Sequence, residues 1–265
     1  MGPAFFFSTD SAVSTVFTEE RSLMPYVTER NLKAKTNSWL KVVAPYNTHS
    51  LKLEKKSAAL LVIDMQKFFL VEKAPGFTEG GVAILSNVER LIAAFRKARR
   101  PVIFTTHVHK DEKLDGGILA WWWKGMCMEG TPEAEIHPRL APRPTEKVVK
   151  KNRYSAFYNT DLETVLRCLG VRDLVITGVM TNCCCETTAR DAYMRDLRVF
   201  FLADATGSCQ EDLHLATLKT LAYGFAHVTT TQEILRCPYD ARRGISHPPK
   251  TKTQNRKGRH TTHYK

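Results

Sequence analysis

The chain has 265 residues, of which 43% are hydrophobic, 9% aromatic and 25% charged. That is the composition of a folded globular domain long enough to bury a core without staples, which excludes small disulfide or metal scaffolds. The formal charge of +12 is uneven: residues 236–265 hold a net of +8 and 1–56 a net of +3, leaving 57–235 almost neutral at +1, a balance that argues against a nucleic-acid enzyme.

Residues 1–56 show no sustained hydrophobic period and carry Pro25 and Pro45; they are expected to form an irregular extension that wraps a neighbouring subunit. The first seven residues lack the basic lead and long apolar stretch of a secretory signal. Apolar runs reach only strand length, as in Ala58–Ile63, far from the ~20 residues of a membrane span. A cytoplasmic setting with no membrane partner is therefore expected.

From residue 57 onward, short apolar runs alternate with amphipathic stretches. Strands are predicted at 58–65, 101–107, 173–179, 198–203 and 226–230, apolar on both alternating positions, as in a parallel sheet covered by helices. A helix is predicted over 82–99, where Leu85, Val88, Leu91, Ile92 and Phe95 share one face. Thr160–Glu163 and Ser208–Glu211 have the form of capping boxes that start helices at 161–169 and 211–223. The implied fold is α/β: a doubly wound, Rossmann-like, mostly parallel sheet of about six strands, with ligands bound beyond the carboxyl ends of the strands. The expected organisation is an N-terminal extension (1–56), a catalytic domain (57–235) and a basic, disordered tail (236–265). That tail gives nucleic acid its one foothold, through non-specific phosphate contacts.

Seven cysteines, three of them consecutive at Cys183, Cys184 and Cys185, form neither a disulfide framework nor a zinc-binding pattern. Three features meet at the strand ends. Asp64 closes the first apolar run, and Lys151 lies where a short apolar run meets the loop Asn152-Arg153-Tyr154-Ser155-Ala156-Phe157. The third is Thr177-Gly178-Val179-Met180-Thr181-Asn182-Cys183-Cys184-Cys185-Glu186, a strand, a Gly-bearing turn and a helix whose first turn holds thiols. Backbone N–H groups at such a helix start favour a thiolate and hold an oxyanion.

Asp64 in L-L-V-I-D-M-Q, Lys151 in K-x-R-Y-S-A-F-Y-x-T-D-L and Cys184 in T-G-V-M-T-N-C-C-C-E-T-T-A-R-D-A-Y resemble the isochorismatase-like cysteine hydrolases, as does the 129–142 segment. The resemblance covers about residues 57–235. It implies an Asp64–Lys151–Cys184 triad in homo-oligomers, dimers or tetramers, without a cofactor. It further implies an oxyanion held by the backbone N–H groups of Met180 and Cys184, with a cis peptide between Val179 and Met180. Asp64 would take the Cys184 proton and return it to the leaving group, Lys151 would stabilise negative charge, and Cys184 is expected to have a depressed pKa. Gln66, Phe69, Tyr154 and Phe157 are candidate substrate-binding residues.

Nicotinamidases of this fold carry a metal-binding D-x-H-P-x-x-H pattern, whereas this chain reads Thr105-Thr106-His107-Val108-His109-Lys110-Asp111. His107 and His109 are expected to point to opposite faces, so no metal is expected. The leading reading is a metal-free cysteine hydrolase acting on a C–N bond of a small amide, ureido or N-carbamoyl compound. Its alternatives are a vinyl-ether hydrolase of isochorismate type and a non-catalytic scaffold or polyanion-binding protein. Trp121-Trp122-Trp123 is expected to line a subunit interface or roof the pocket.

Overall fold

A computed structural model describes residues 25–123 and 125–237. The first 24 residues and the basic tail beyond Cys237 lie outside the described residues. Six strands, β1 (Ala58–Ile63), β2 (Val102–His107), β3 (Lys147–Lys151), β4 (Asp173–Val179), β5 (Arg198–Gly207) and β6 (His227–Thr229), form one all-parallel sheet in the order β3-β2-β1-β4-β5-β6. The helices are α1 (Leu32–Val43), α2 (Lys67–Leu70), α3 (Glu79–Ala83), α4 (Leu85–Lys97), α5 (Ile118–Trp122), α6 (Leu162–Cys168), α7 (Glu186–Tyr193), α8 (Glu211–Gly224) and α9 (Thr231–Arg236). The strand order reverses direction between β1 and β4. In open α/β sheets the crevice at that point, beyond the strand ends, is where ligands bind.

Every residue of β1 and β4 is buried, which accounts for their predominantly apolar sequence. β3 is different. It is an edge strand whose exposed and buried residues alternate, and its lysines kept it out of the strands predicted from the sequence. The helix predicted over 82–99 is divided at Ile84 into α3 and α4. α6 and α8 begin where expected, but neither capping box forms: Ser208 donates instead to Asn182 Oδ1 at 2.7 Å.

The reading of 1–56 as irregular requires correction. Leu32, Thr36, Trp39 and Val43 form a buried stripe on α1 at helical spacing, and the helix packs on α8 and β5 of its own chain. Trp39 Nε1 donates to Glu211 Oε1 at 2.7 Å, and Lys35 Nζ donates to Glu211 Oε2 at 2.7 Å. No helix among the described residues is long and apolar enough to cross a membrane.

Candidate active site

Asp64 is the first residue after β1 and adopts a left-handed backbone, φ 50°. Its N–H donates to Thr105 Oγ1 at 3.1 Å, and the same hydroxyl donates back to Asp64 Oδ1 at 2.5 Å. The carboxylate is thereby fixed against β2 with its second oxygen free to face the crevice. Lys151 ends β3, and the parallel register sets it beside His107 at the end of β2. Cys184 arrives by a different route. Gly178 has φ 117°, and a Cβ there would lie 2.0 Å from the Ile63 carbonyl oxygen, so only glycine lets β4 approach β1 this closely. The Val179–Met180 peptide that follows is cis. A wide helical turn, Thr181–Cys185, then leads into α7, with the Met180 carbonyl accepting from the N–H groups of Cys183 and Cys185.

These three strand ends bring the expected residues together. Lys151 Nζ lies 2.7 Å from Asp64 Oδ2, with both side chains sealed from solvent, and donates to Cys184 Sγ at 3.2 Å. Burial opposes the ammonium, but Asp64 and Cys184 outweigh it and raise the Lys151 pKa above its ordinary value. Burial likewise pushes the Cys184 thiol well above the ordinary range, against the pull of Lys151. The expectation of a depressed Cys184 pKa is therefore corrected: a helix start and one ammonium do not offset complete desolvation next to a carboxylate. Burial beside the Asp64 carboxylate thus favours the neutral thiol over the thiolate at Cys184.

The two histidines also depart from expectation. On a strand, residues i and i+2 share a face, and His107 Nε2 lies 3.1 Å from His109 Nε2. Donor atoms of Asp64, His107 and Cys184 fall within 4.8 Å of one another, the compactness of a metal centre. A fixed cation already touches all three, however. Lys151 Nζ is also 3.2 Å from His107 Nδ1, so the lysine ammonium supplies positive charge where a metal would stand.

Two of the residues expected at the substrate have other tasks. Gln66 is fully buried, and its amide clamps the backbone. Its Oε1 accepts from the His107 N–H at 2.7 Å, and its Nε2 donates to the carbonyls of His107 and Ala134 at 3.2 and 3.0 Å. Phe157 is in the core with the Arg195 guanidinium 4.8 Å over its ring. Both were chosen for closeness in sequence, which does not say which way a side chain turns. Phe69 and Tyr154 are half-buried. Tyr154 accepts a 2.7 Å hydrogen bond from Trp123 Nε1, so the tryptophan cluster divides: Trp123 turns toward Tyr154, while Trp121 and Trp122 are exposed. A cleft of about 510 Å³, lined by Phe68, Met126, Cys127 and Met128 among others, contains none of the three convergent residues.

Sequence reasoning missed Thr105, Asp115 and Arg153, and considered His109 only as a metal ligand. The available signal was β2 itself, whose alternation brings Thr105, His107 and His109 to one side.

Residues 58–233 match the family model described as Isochorismatase domain. Nicotinamidase 3 of Arabidopsis thaliana is 42% identical over 194 residues, covering 72% of this chain and 93% of that protein. Ureidoacrylate amidohydrolase RutB of Variovorax paradoxus is 30% identical over 220 residues, covering 73% of this chain and 86% of that protein. Among solved structures, a cysteine hydrolase from Pseudomonas syringae pv. phaseolicola 1448A superposes with a TM-score of 0.66 at 31% identity, over 71% of this chain and 94% of that one.

Proposed function

Because the chain belongs to the isochorismatase family, we propose that it is a metal-free cysteine hydrolase that opens a C–N bond of a small amide, ureido or N-carbamoyl compound through a thioester on Cys184. The observation that carries this reading is the sealed contact of Asp64, Lys151 and Cys184. As the Cys184 sulfur attacks the substrate carbonyl carbon, its proton passes to Asp64. Lys151 keeps the carboxylate oriented and balances the negative charge entering a water-poor site. Backbone N–H groups of Met180 and Cys184 receive the oxyanion. When the tetrahedral intermediate collapses, Asp64 hands the proton to the departing nitrogen, which leaves as ammonia or an amine. Water then attacks the thioester with Asp64 as base, releasing the acid and restoring the thiol.

The relative named a nicotinamidase, at 42% identity, supports a C–N bond over a vinyl ether. The missing D-x-H-P-x-x-H pattern does not remove carboxamides from the candidates, since that relative is named a nicotinamidase. The test is a panel of nicotinamide, ureidoacrylate, N-carbamoylsarcosine and related compounds with ammonia release as readout, joined to mass spectrometry of the quenched enzyme. The expected result is turnover of at least one member and an acyl adduct on the peptide holding Cys184. Turnover of isochorismate alone, with no adduct, would overturn the reading.

A further inference from the structure

The proposed mechanism leaves two buried imidazoles beside the site without a task. His107 and His109 are 9% and 1% exposed, yet each ring nitrogen faces a partner. Lys151 Nζ lies 3.2 Å from His107 Nδ1, His107 Nε2 lies 3.1 Å from His109 Nε2, and His109 Nδ1 lies 3.1 Å from Asp115 Oδ1. The four groups form an unbroken chain from a sealed ammonium to a carboxylate whose side chain is 21% exposed.

With both rings neutral, the hydrogens along this chain have one consistent arrangement. An ammonium offers three hydrogens and no lone pair, and shares them among Asp64 Oδ2, Cys184 Sγ, the Arg153 carbonyl and His107 Nδ1, so His107 Nδ1 presents its own lone pair to Lys151. The single hydrogen of a neutral His107 is then on Nε2, where His109 Nε2 has to accept it. That puts the His109 hydrogen on Nδ1, facing Asp115. Starting from the other end gives the same tautomers, because a carboxylate accepts and does not donate. Burial and the neighbouring Lys151 charge hold the His107 pKa well below its ordinary value, so the neutral ring that the chain requires is the stable one.

The surroundings hold both ends in place. The Arg153 carbonyl accepts from Lys151 Nζ at 3.1 Å, while its Nη1 donates to the Asp115 carbonyl at 2.8 Å. Asp115 Oδ2 accepts from the Lys110 N–H at 2.9 Å. Gln66 grips the backbone of His107 from both sides.

We propose that His107, His109 and Asp115 are positioning residues for Lys151. They form a directed hydrogen-bond chain that presents a lone pair to Nζ and so keeps the ammonium between the Asp64 carboxylate and the Cys184 sulfur. This rests on the reading of Lys151 and Cys184 as catalytic. Removing the acceptor at residue 109 leaves the His107 Nε2–H unpaired in the interior. It also favours the other tautomer, whose Nδ1–H would oppose an N–H of Lys151 donor to donor.

Long-range ¹H–¹⁵N spectra of the intact protein at pH 7.5 test the chain without any substrate. The expected spectra show His107 protonated on Nε2 and His109 on Nδ1; His107 protonated on Nδ1 overturns the proposal. The second arm compares His109→Leu with His109→Gln, whose amide can accept from His107 and donate to Asp115. It also includes Asp115→Ala, which alters a partly exposed position and spares the core. On a substrate from the panel, His109→Leu and Asp115→Ala should lower kcat by about 10- to 100-fold, as small misplacements at a reacting centre do. KM should change less than about threefold, and His109→Gln should recover most of kcat. A Leu variant with wild-type kcat, or a Gln variant no better than Leu, overturns the proposal. The pH profile of Cys184 alkylation follows the same order of variants. It keeps failure of the chain distinguishable from failure of the amide-hydrolase reading.

Discussion

Lys151 Nζ and Asp64 Oδ2 are 2.7 Å apart in a pocket where neither side chain reaches solvent, so each charge depends on the other for its stability. Breaking a buried pair from one side leaves an uncompensated charge and costs about 3–5 kcal/mol, whereas removing both charges costs far less. Lys151→Met and Asp64→Asn should each abolish turnover and each destabilise the fold by leaving one member of the buried pair without its partner. The double variant should be inactive yet more stable than Lys151→Met. Urea denaturation at pH 7.5 measures this. A double variant that loses the full sum of the two single losses would show that the pair is not coupled.

Cys184 is a thiol at rest, since burial raises its pKa, and its reactivity depends on Asp64 accepting a proton. Alkylation by iodoacetamide without substrate should be slow at pH 7 and should rise steadily beyond pH 9. Cys184→Ala should remain folded and inactive. Cys183→Ala should keep most activity, and so should Cys185→Ala, whose side chain is fully buried packing. Peptide mapping that places the inactivating adduct on another cysteine, or turnover by Cys184→Ala, would sink the thioester mechanism.

The central sheet was legible in the sequence because β1 and β4 are buried on both sides and therefore mostly apolar. β3 was not, because an edge strand needs only alternate residues inside: Lys147 and Lys150 break the apolar run, and even the buried position 151 is a lysine. α1 was overlooked although Leu32, Thr36, Trp39 and Val43 follow helical spacing; the surrounding polar residues and Pro25 hid a stripe only one residue wide. Asp64, Lys151 and Cys184 could be chosen because each stands at a strand end and because the flanking motifs resemble one family. The directions of the Gln66 and Phe157 side chains, one gripping the backbone and one turned into the core, do not follow from nearness in sequence. The contact of His109 with Asp115 depends on how the 110–117 segment folds back, which no local pattern specifies.

The place where Asp64, His107 and Cys184 converge is served by the Lys151 ammonium, so catalysis should not require a metal ion. Activity is expected to survive exhaustive dialysis against EDTA and to gain nothing from added zinc or manganese. Loss on chelation with recovery on adding either metal would show that the histidine pair coordinates a working ion.

Stability should fall on both sides of neutrality, for separate reasons whose signs can be worked out. Burial lowers the His214 pKa to about 4, against an ordinary value of ~6.5 in the unfolded chain. Below ~6.5 the unfolded state binds a proton that the folded state refuses, so this contribution is complete above that pH and is lost as pH falls toward 4. On the alkaline side, burial pushes the Cys127 and Cys183 thiols up to about 12. Above ~8.5 the unfolded thiols ionise while the folded ones keep their protons, so stability declines as pH rises. Each group contributes a slope on the order of 1 kcal/mol per pH unit within its window. Urea midpoints measured from pH 4.5 to 10 should peak between ~6.5 and ~8.5. The acid limb should become shallower in His214→Gln, with His107 keeping the remainder, and the alkaline limb shallower in Cys127→Ala, with Cys183 and Cys184 keeping the remainder, each variant leaving the opposite limb unchanged. Limbs that keep their slopes in these variants would assign the pH dependence to other groups.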